Sequence, residues 1–194
     1  GIYFSENYLK MEEARVPNNG RLSQLPGLTH LVTGHDEDGH AIIQEERAAP
    51  WRTLNSQTSL HEVYATSKFP PNLNDDADMI ESKQILATED LGLVHPGGII
   101  CRIVDFAPNN DPMIHRTQSL DYGVVLEGSV DMILDSGQVR TLRRGEIAVQ
   151  RATMHGWRNR SKTHWARMMF VMQHSEPLIL GGVALEQDLE SFKR

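Results

Sequence analysis

His115-Arg116-Thr117-Gln118-Ser119-Leu120-Asp121-Tyr122 is followed at once by Val124-Val125-Leu126-Glu127-Gly128. After a second β-patterned run, Arg144-Gly145-Glu146-Ile147-Ala148-Val149-Gln150-Arg151, the chain reaches His155-Gly156-Trp157-Arg158-Asn159. Two histidines and an aspartate therefore sit on strand-like segments some forty residues apart. Two histidines plus a carboxylate form a ligand set that leaves coordination positions open on a divalent metal. The same residues without metal make a general acid–base couple.

Side chains alternate between the faces of a strand. If His115 points inward, Thr117 does too, and Asp121, Gly123 and Val125 share that parity on the next strand. In the second segment Thr153, His155, Trp157 and Asn159 point the same way. This predicts a pocket in which His115, Asp121 and His155 carry the chemistry. Thr117, Gly123, Trp157 and Asn159 are its expected substrate contacts. Gly123 would leave room for a ligand and Trp157 would supply an apolar wall. Tyr122 falls on the opposite face.

The stretch resembles the two motifs of the cupin superfamily. The first has the form Gly-x5-His-x-His-x3/4-Glu-x6-Gly. His115 matches the first histidine, Thr117 stands at the second, Asp121 at the glutamate and Gly128 at the closing glycine, with six residues between the last two. Asn109 stands at the leading glycine. The second motif has the form Gly-x5-Pro-x-Gly-x2-His-x3-Asn. Gly145, His155 and Asn159 match it; Arg151 replaces the proline, and the loop to His155 is one residue shorter. The segment His-Arg-Thr-x-Ser-x-Asp-Tyr, with Val-Gln-Arg-x-Thr-x-His-x-Trp-x-Asn, is similar to a narrower group of small single-barrel cupins. Some fungal members of that group are encoded beside polyketide synthases.

The resemblance implies an all-β protein built on a cupin β-barrel, or jelly roll. It implies a divalent metal, iron, manganese, zinc or nickel, held by His115, Asp121 and His155. Two departures weaken the ligand set. Thr117 replaces a histidine, and Asp121 is one methylene shorter than glutamate. One fold hosts many activities, so the expected reaction stays broad: dehydration, isomerisation, decarboxylation or oxidation of a small oxygenated molecule. That makes the protein a lyase, isomerase or oxidoreductase of polyketide-type secondary metabolism. The competing expectation is a cupin that binds a small ligand without turning it over. The resemblance also implies a homodimer.

Outside the motifs, the chain reads as a leader over residues 1–27, a strand-containing arm over 28–97, the barrel over 98–175 and a tail with a short helix over 176–194. Residues 6–16 are expected to be helical, stopped by Pro17-Asn18-Asn19-Gly20. Residues 28–33 and 40–45 flank Gly34-His35-Asp36-Glu37-Asp38-Gly39, a hairpin loop whose aspartates and glycines are explained by turn chemistry. Residues 63–66 form a strand candidate and 68–78 a surface loop. The run from Ile99 to Val104 reads as a strand, Asp135-Ser136-Gly137 as a hairpin tip, and Arg167 to Met172 as a closing strand.

Composition narrows the function classes. The chain has 194 residues, 39% hydrophobic and 23% charged, which suits one globular domain. A net charge of −7 opposes nucleic acid as a partner. Arg140, Arg143, Arg144, Arg151, Arg158 and Arg160 read as a solvated face. Cys101 is the sole cysteine, so no intramolecular disulfide forms, and it reads as an inert thiol. No apolar run approaches a membrane span, and no signal pattern opens the chain; a cytoplasmic protein is expected. Gly97-Gly98 and Gly181-Gly182 are too little to imply a nucleotide loop, so no nucleotide cofactor is expected.

Overall fold

The structure, a computed structural model, describes residues 21–88 and 91–192. The helix expected over residues 6–16 lies outside them. A hairpin comes first, β1 (Thr29–His35) and β2 (Ala41–Ala48), then β3 (Arg52–Asn55) and β4 (Thr58–Thr66). Helix α1 (Ala77–Leu86) intervenes before β5 (Ile99–Phe106), β6 (Ser119–Glu127) and β7 (Ser129–Leu134). β8 (Val139–Arg143), β9 (Ile147–Arg151), β10 (His155–Asn159) and β11 (Ala166–His174) complete the barrel, and a small ribbon, β12 (Ile179–Leu180) and β13 (Val183–Ala184), follows.

The barrel is two antiparallel sheets face to face. One has six strands in the order β3-β4-β5-β11-β6-β9, the other three in the order β10-β7-β8. Period-two alternation explains the core. Ile100, Val104 and Phe106 point inward from β5, and Met168, Phe170 and Met172 from β11. Val130 and Trp157 face them from the smaller sheet. The arm does extend the sheet edge, through β3 and β4. β4 pairs with β5 from Thr58↔Phe106 to Thr66↔Ile99.

Two glycines are dictated by geometry. Gly128 turns β6 into β7 at φ 77°, a left-handed conformation that side chains resist. A Cβ on Gly98 would lie 1.6 Å from the Thr66 carbonyl oxygen, so Gly97-Gly98 serves close strand approach. Asn109, at the leading glycine position of the first motif, also has positive φ, 49°, which asparagine tolerates better than most residues.

The hairpin over residues 29–48 folds as expected. Asp36 Oδ1 accepts hydrogen bonds from the amides of Asp38 (3.0 Å) and His40 (2.8 Å), so this aspartate is turn machinery. The hairpin forms a separate two-stranded sheet. The short helix expected in the tail is a single 3₁₀ turn, Glu190–Phe192. Helix α1 was not legible: it buries Met79, Ser82 and Ile85, and a serine in the middle of that face blurs the apolar period. Ser82 is there for its hydroxyl, which accepts the Ala65 amide at 3.1 Å.

Candidate active site

His115 and His155 face each other because their backbones pair. His115 N–H donates to the His155 carbonyl and His155 N–H to that of His115, both at 2.9 Å. Directly opposed residues of an antiparallel bridge project to the same face, and the two ring centroids lie 4.5 Å apart. Nδ1 of His115 contacts the Met113 carbonyl and Nδ1 of His155 the Thr153 carbonyl, each at 2.9 Å. A carbonyl only accepts, so Nδ1 carries the proton in both rings and Nε2 keeps its lone pair. Burial holds the His155 imidazole down to about 4, helped by its neighbour His115. Burial lowers His115 as well, against the pull of the Met113 carbonyl. Both rings are therefore neutral near pH 7.

Asp121 stands on β6, in the six-stranded sheet, and is buried. The Thr117 hydroxyl donates to its Oδ2 at a long 3.4 Å, and Ser119 donates to Thr117 at 2.8 Å. Oδ1 is buried without a hydrogen-bond partner. Burial pushes the carboxyl up to about 6, against the Ser119 and Thr117 hydroxyls and the charge of Arg102. It is thus poised between its charged and neutral forms close to neutrality.

All three residues line one cavity of about 70 Å³ that opens toward the surface. Trp157 and Phe170 wall it, with ring centroids 5.5 Å apart. Phe192 from the tail closes over His115 edge-on at 5.0 Å. The tail is pinned there by the backbone pair Arg116–Asp188, 2.9 Å in each direction, and by the Ser191 hydroxyl donating to the Ile114 carbonyl at 2.7 Å.

The expected substrate contacts separate on inspection. Trp157 is a cavity wall. Thr117 is buried behind Asp121 as its hydrogen-bond donor. Gly123 leaves room for protein rather than for ligand: a Cβ there would lie 3.0 Å from the Phe170 ring. Asn159 is buried in a polar knot. Its amide donates to the carbonyls of Phe106, Ala107 and His164 at 3.1, 3.3 and 2.7 Å, and its backbone N–H donates to Asn110 Oδ1. Asn110 lines the cavity instead. Thr153 is exposed, not inward, because the turn between β9 and β10 breaks the alternation at Ala152, whose φ is 51°.

The resemblance implies a divalent metal, which would need His115, Asp121 and His155 to converge on one point. Among the described residues no three His, Cys, Asp or Glu side chains gather closely enough to hold an ion. The histidine pair belongs to the β10 side and Asp121 to the facing sheet. The metal triad of His115, Asp121 and His155 therefore does not fit this arrangement. Thr117, at the position of the second motif histidine, offers only a hydroxyl, and that hydroxyl donates to Asp121.

Phe192 and Arg102 are among the cavity residues that escaped the sequence reading. Phe192 arrives from the tail through tertiary contacts. Arg102 had a signal: it is the one charged residue at inward parity on β5, between Ile100 and Val104. Cys101, on the opposite face, is half-buried, and burial raises its thiol. Arg140, Arg143, Arg144, Arg151, Arg158 and Arg160 are all exposed. Among the described residues no helix is long and apolar enough to cross a membrane.

No protein-family profile matches the chain. Phomopsin biosynthesis cluster protein D of Diaporthe leptostromiformis is 42% identical over 160 residues, 79% of this chain and 84% of that one. The cupin-domain-containing oxidoreductase virC of Hypocrea virens is 37% identical over 165 residues, 81% of this chain and 83% of that one. An RmlC-like cupin from Shewanella frigidimarina aligns over 66% of this chain and 86% of its own, with a TM-score of 0.45 at 8% identity. The chain belongs to the cupin superfamily, in the group of cupin-domain proteins that includes these two sequence relatives.

Proposed function

We propose that the protein is an acid–base enzyme of secondary metabolism, acting on a small oxygenated molecule of polyketide type. The observation that carries this is the cavity itself. Two buried, neutral histidines and an unsatisfied carboxyl face one mostly apolar space. An apolar, concave space with a few converging polar groups is the usual character of a small-molecule site. The relatives, one named for a biosynthesis cluster and one as an oxidoreductase, support a biosynthetic setting.

Nε2 of His155, with its neighbour His115 keeping it neutral, takes a proton from a carbon beside a substrate carbonyl. The Asp121 carboxyl, near its midpoint at neutral pH, returns a proton elsewhere on the molecule. Delivered to a second carbon or to oxygen, that proton completes an isomerisation. Delivered to a departing hydroxyl, it completes a dehydration and water leaves. Trp157, Phe170 and Phe192 hold the carbon skeleton and exclude solvent, which strengthens each polar contact inside. The same reading makes the protein a homodimer whose ligand is a small molecule, without nucleic acid or membrane as partner.

The test uses the compounds that accumulate in the host when this gene is deleted. Purified protein should convert one of them to a product of equal mass or one water lighter. His155→Gln should slow that conversion by ~100-fold or more. Undiminished turnover in His155→Gln overturns the proposal. Binding without conversion by the wild type would make the protein a carrier instead.

A further inference from the structure

Arg102 lies on the cavity wall, 2% exposed. Its Nη2 donates to the carbonyls of Gly92 and Leu93 at 3.1 and 2.9 Å. These bonds fix the plane of the guanidinium. Its Nε and Nη1 are buried with no hydrogen-bond partner. A buried guanidinium with open donors is costly unless an anion meets it. None does among the described residues. Glu62 attracts it but is bound by Arg52 at 2.6 Å, and Asp121 attracts it while its Oδ1 and the Arg102 Nε and Nη1 stay without a hydrogen-bond partner. Burial lowers the guanidinium to about 10, so it remains cationic at neutral pH.

The cavity thus holds two unsatisfied groups of opposite character, the Arg102 donors and Asp121 Oδ1, within otherwise apolar walls. They do not satisfy each other. A ligand satisfies both if one of its oxygens is anionic and another carries a proton. We propose that Arg102 binds a carboxylate of the substrate, so that the cavity selects a small, largely apolar hydroxy-acid whose hydroxyl reaches Asp121. This rests on the acid–base reading above and adds the substrate class. It explains why β5 carries an arginine where its neighbours Ile100, Val104 and Phe106 only pack. It also assigns orientation: the carboxylate lies at the β5 wall and the opposite end of the molecule at the histidine pair.

The experiment is equilibrium binding of 2-naphthoate and its neutral counterpart 2-naphthamide, by calorimetry, to the wild type, Arg102→Gln and Arg102→Lys. The wild type should bind the carboxylate at least ~10-fold more tightly than the amide, the scale of one charge-assisted contact. Arg102→Gln, folded by circular dichroism, should lose that preference. Should Arg102→Gln not fold, Arg102→Lys carries the comparison and should show a reduced preference, since its ammonium cannot occupy the same plane. Equal affinity for both ligands in the wild type, no binding of 2-naphthoate, or an unchanged preference in the folded variant overturns the assignment. No turnover is measured, so a failed acid–base mechanism and a failed carboxylate site give different results.

Discussion

In the proposed mechanism Asp121 is the residue that returns the proton. Its parity on β6 was readable from the sequence, and the structure places it in the cavity with one oxygen unsatisfied. Asp121→Asn keeps the shape and removes the titrating group. The variant should fold, and its turnover should fall by ~100-fold or more, the scale of a lost acid–base contribution. Glu127, at the far end of the same strand, does not line the cavity. Glu127→Gln should keep full activity. A paired assay with circular dichroism as the folding control decides it, and equal losses in the two variants would place the chemistry elsewhere. What parity alone did not reveal was the division of labour among its neighbours. Thr117 and Asn159 share the inward face, yet hydrogen bonds turn them toward protein. Thr117 is held by its near neighbours Ser119 and Asp121, whereas Asn159 donates to the carbonyls of Phe106 and Ala107, far away in the chain.

At the scale of elements, β5 and β11 are fastened twice. Inside, their alternate residues make the core. Outside, Arg167 and Asp105 form a bidentate ion pair, Nε to Oδ1 at 2.6 Å and Nη2 to Oδ2 at 2.7 Å, with both side chains almost wholly buried. The N-terminal segment covers the pair, and Arg167 also donates to the Pro26 carbonyl at 3.0 Å. Removing one partner of a buried pair leaves an uncompensated charge. Asp105→Ala should therefore destabilise the protein by about 3–5 kcal/mol. Asp105→Ala with Arg167→Met should cost less than the single change. Urea denaturation measures both, and a loss below ~1 kcal/mol in the single variant would contradict this. Nothing in the sequence pairs residue 105 with 167. The register Arg167↔Asp105 between β11 and β5 does.

Two predictions concern the molecule as a whole. Burial depresses both His61 and His155 to about 4 from an ordinary 6.5, His30 adding to the effect on His61. A base with a depressed folded pKa binds protons more readily when unfolded. Each histidine thus contributes stability that is present above about pH 6.5 and lost as pH falls through 4. Asp121, raised from 3.8 to about 6, acts in the opposite direction between those values. Burial lowers His30 and His115 as well, so the histidines outweigh Asp121: Tm should fall between pH 6.5 and 4, and His61→Gln should flatten that fall. A pH-independent Tm over this range would refute the assignment. The second prediction is assembly. The β1–β2 hairpin forms its own sheet and leaves Leu31, Ile42 and Ile43 exposed. Exposed apolar strands are contained by pairing or by cover. Light scattering should give about twice the 21.9 kDa of one chain, and a monomer at micromolar concentration would exclude the dimer.

The barrel and the inward face shared by His115, Asp121 and His155 were legible because they depend on local rules. Strand parity has a period of two, turns need glycine or its substitutes, and the first motif keeps its spacing from His115 to Gly128. These properties belong to short stretches of chain. The tertiary structure decided the rest. It paired His115 with His155 across forty residues, brought Phe192 from the tail over them, and turned Arg102 into the cavity. It kept Asp121 on the facing sheet, away from the histidine pair, so that the three expected metal ligands do not converge. Distances between sheets follow from how whole layers pack, and a one-dimensional pattern records which face a residue takes but not what lies across the barrel from it.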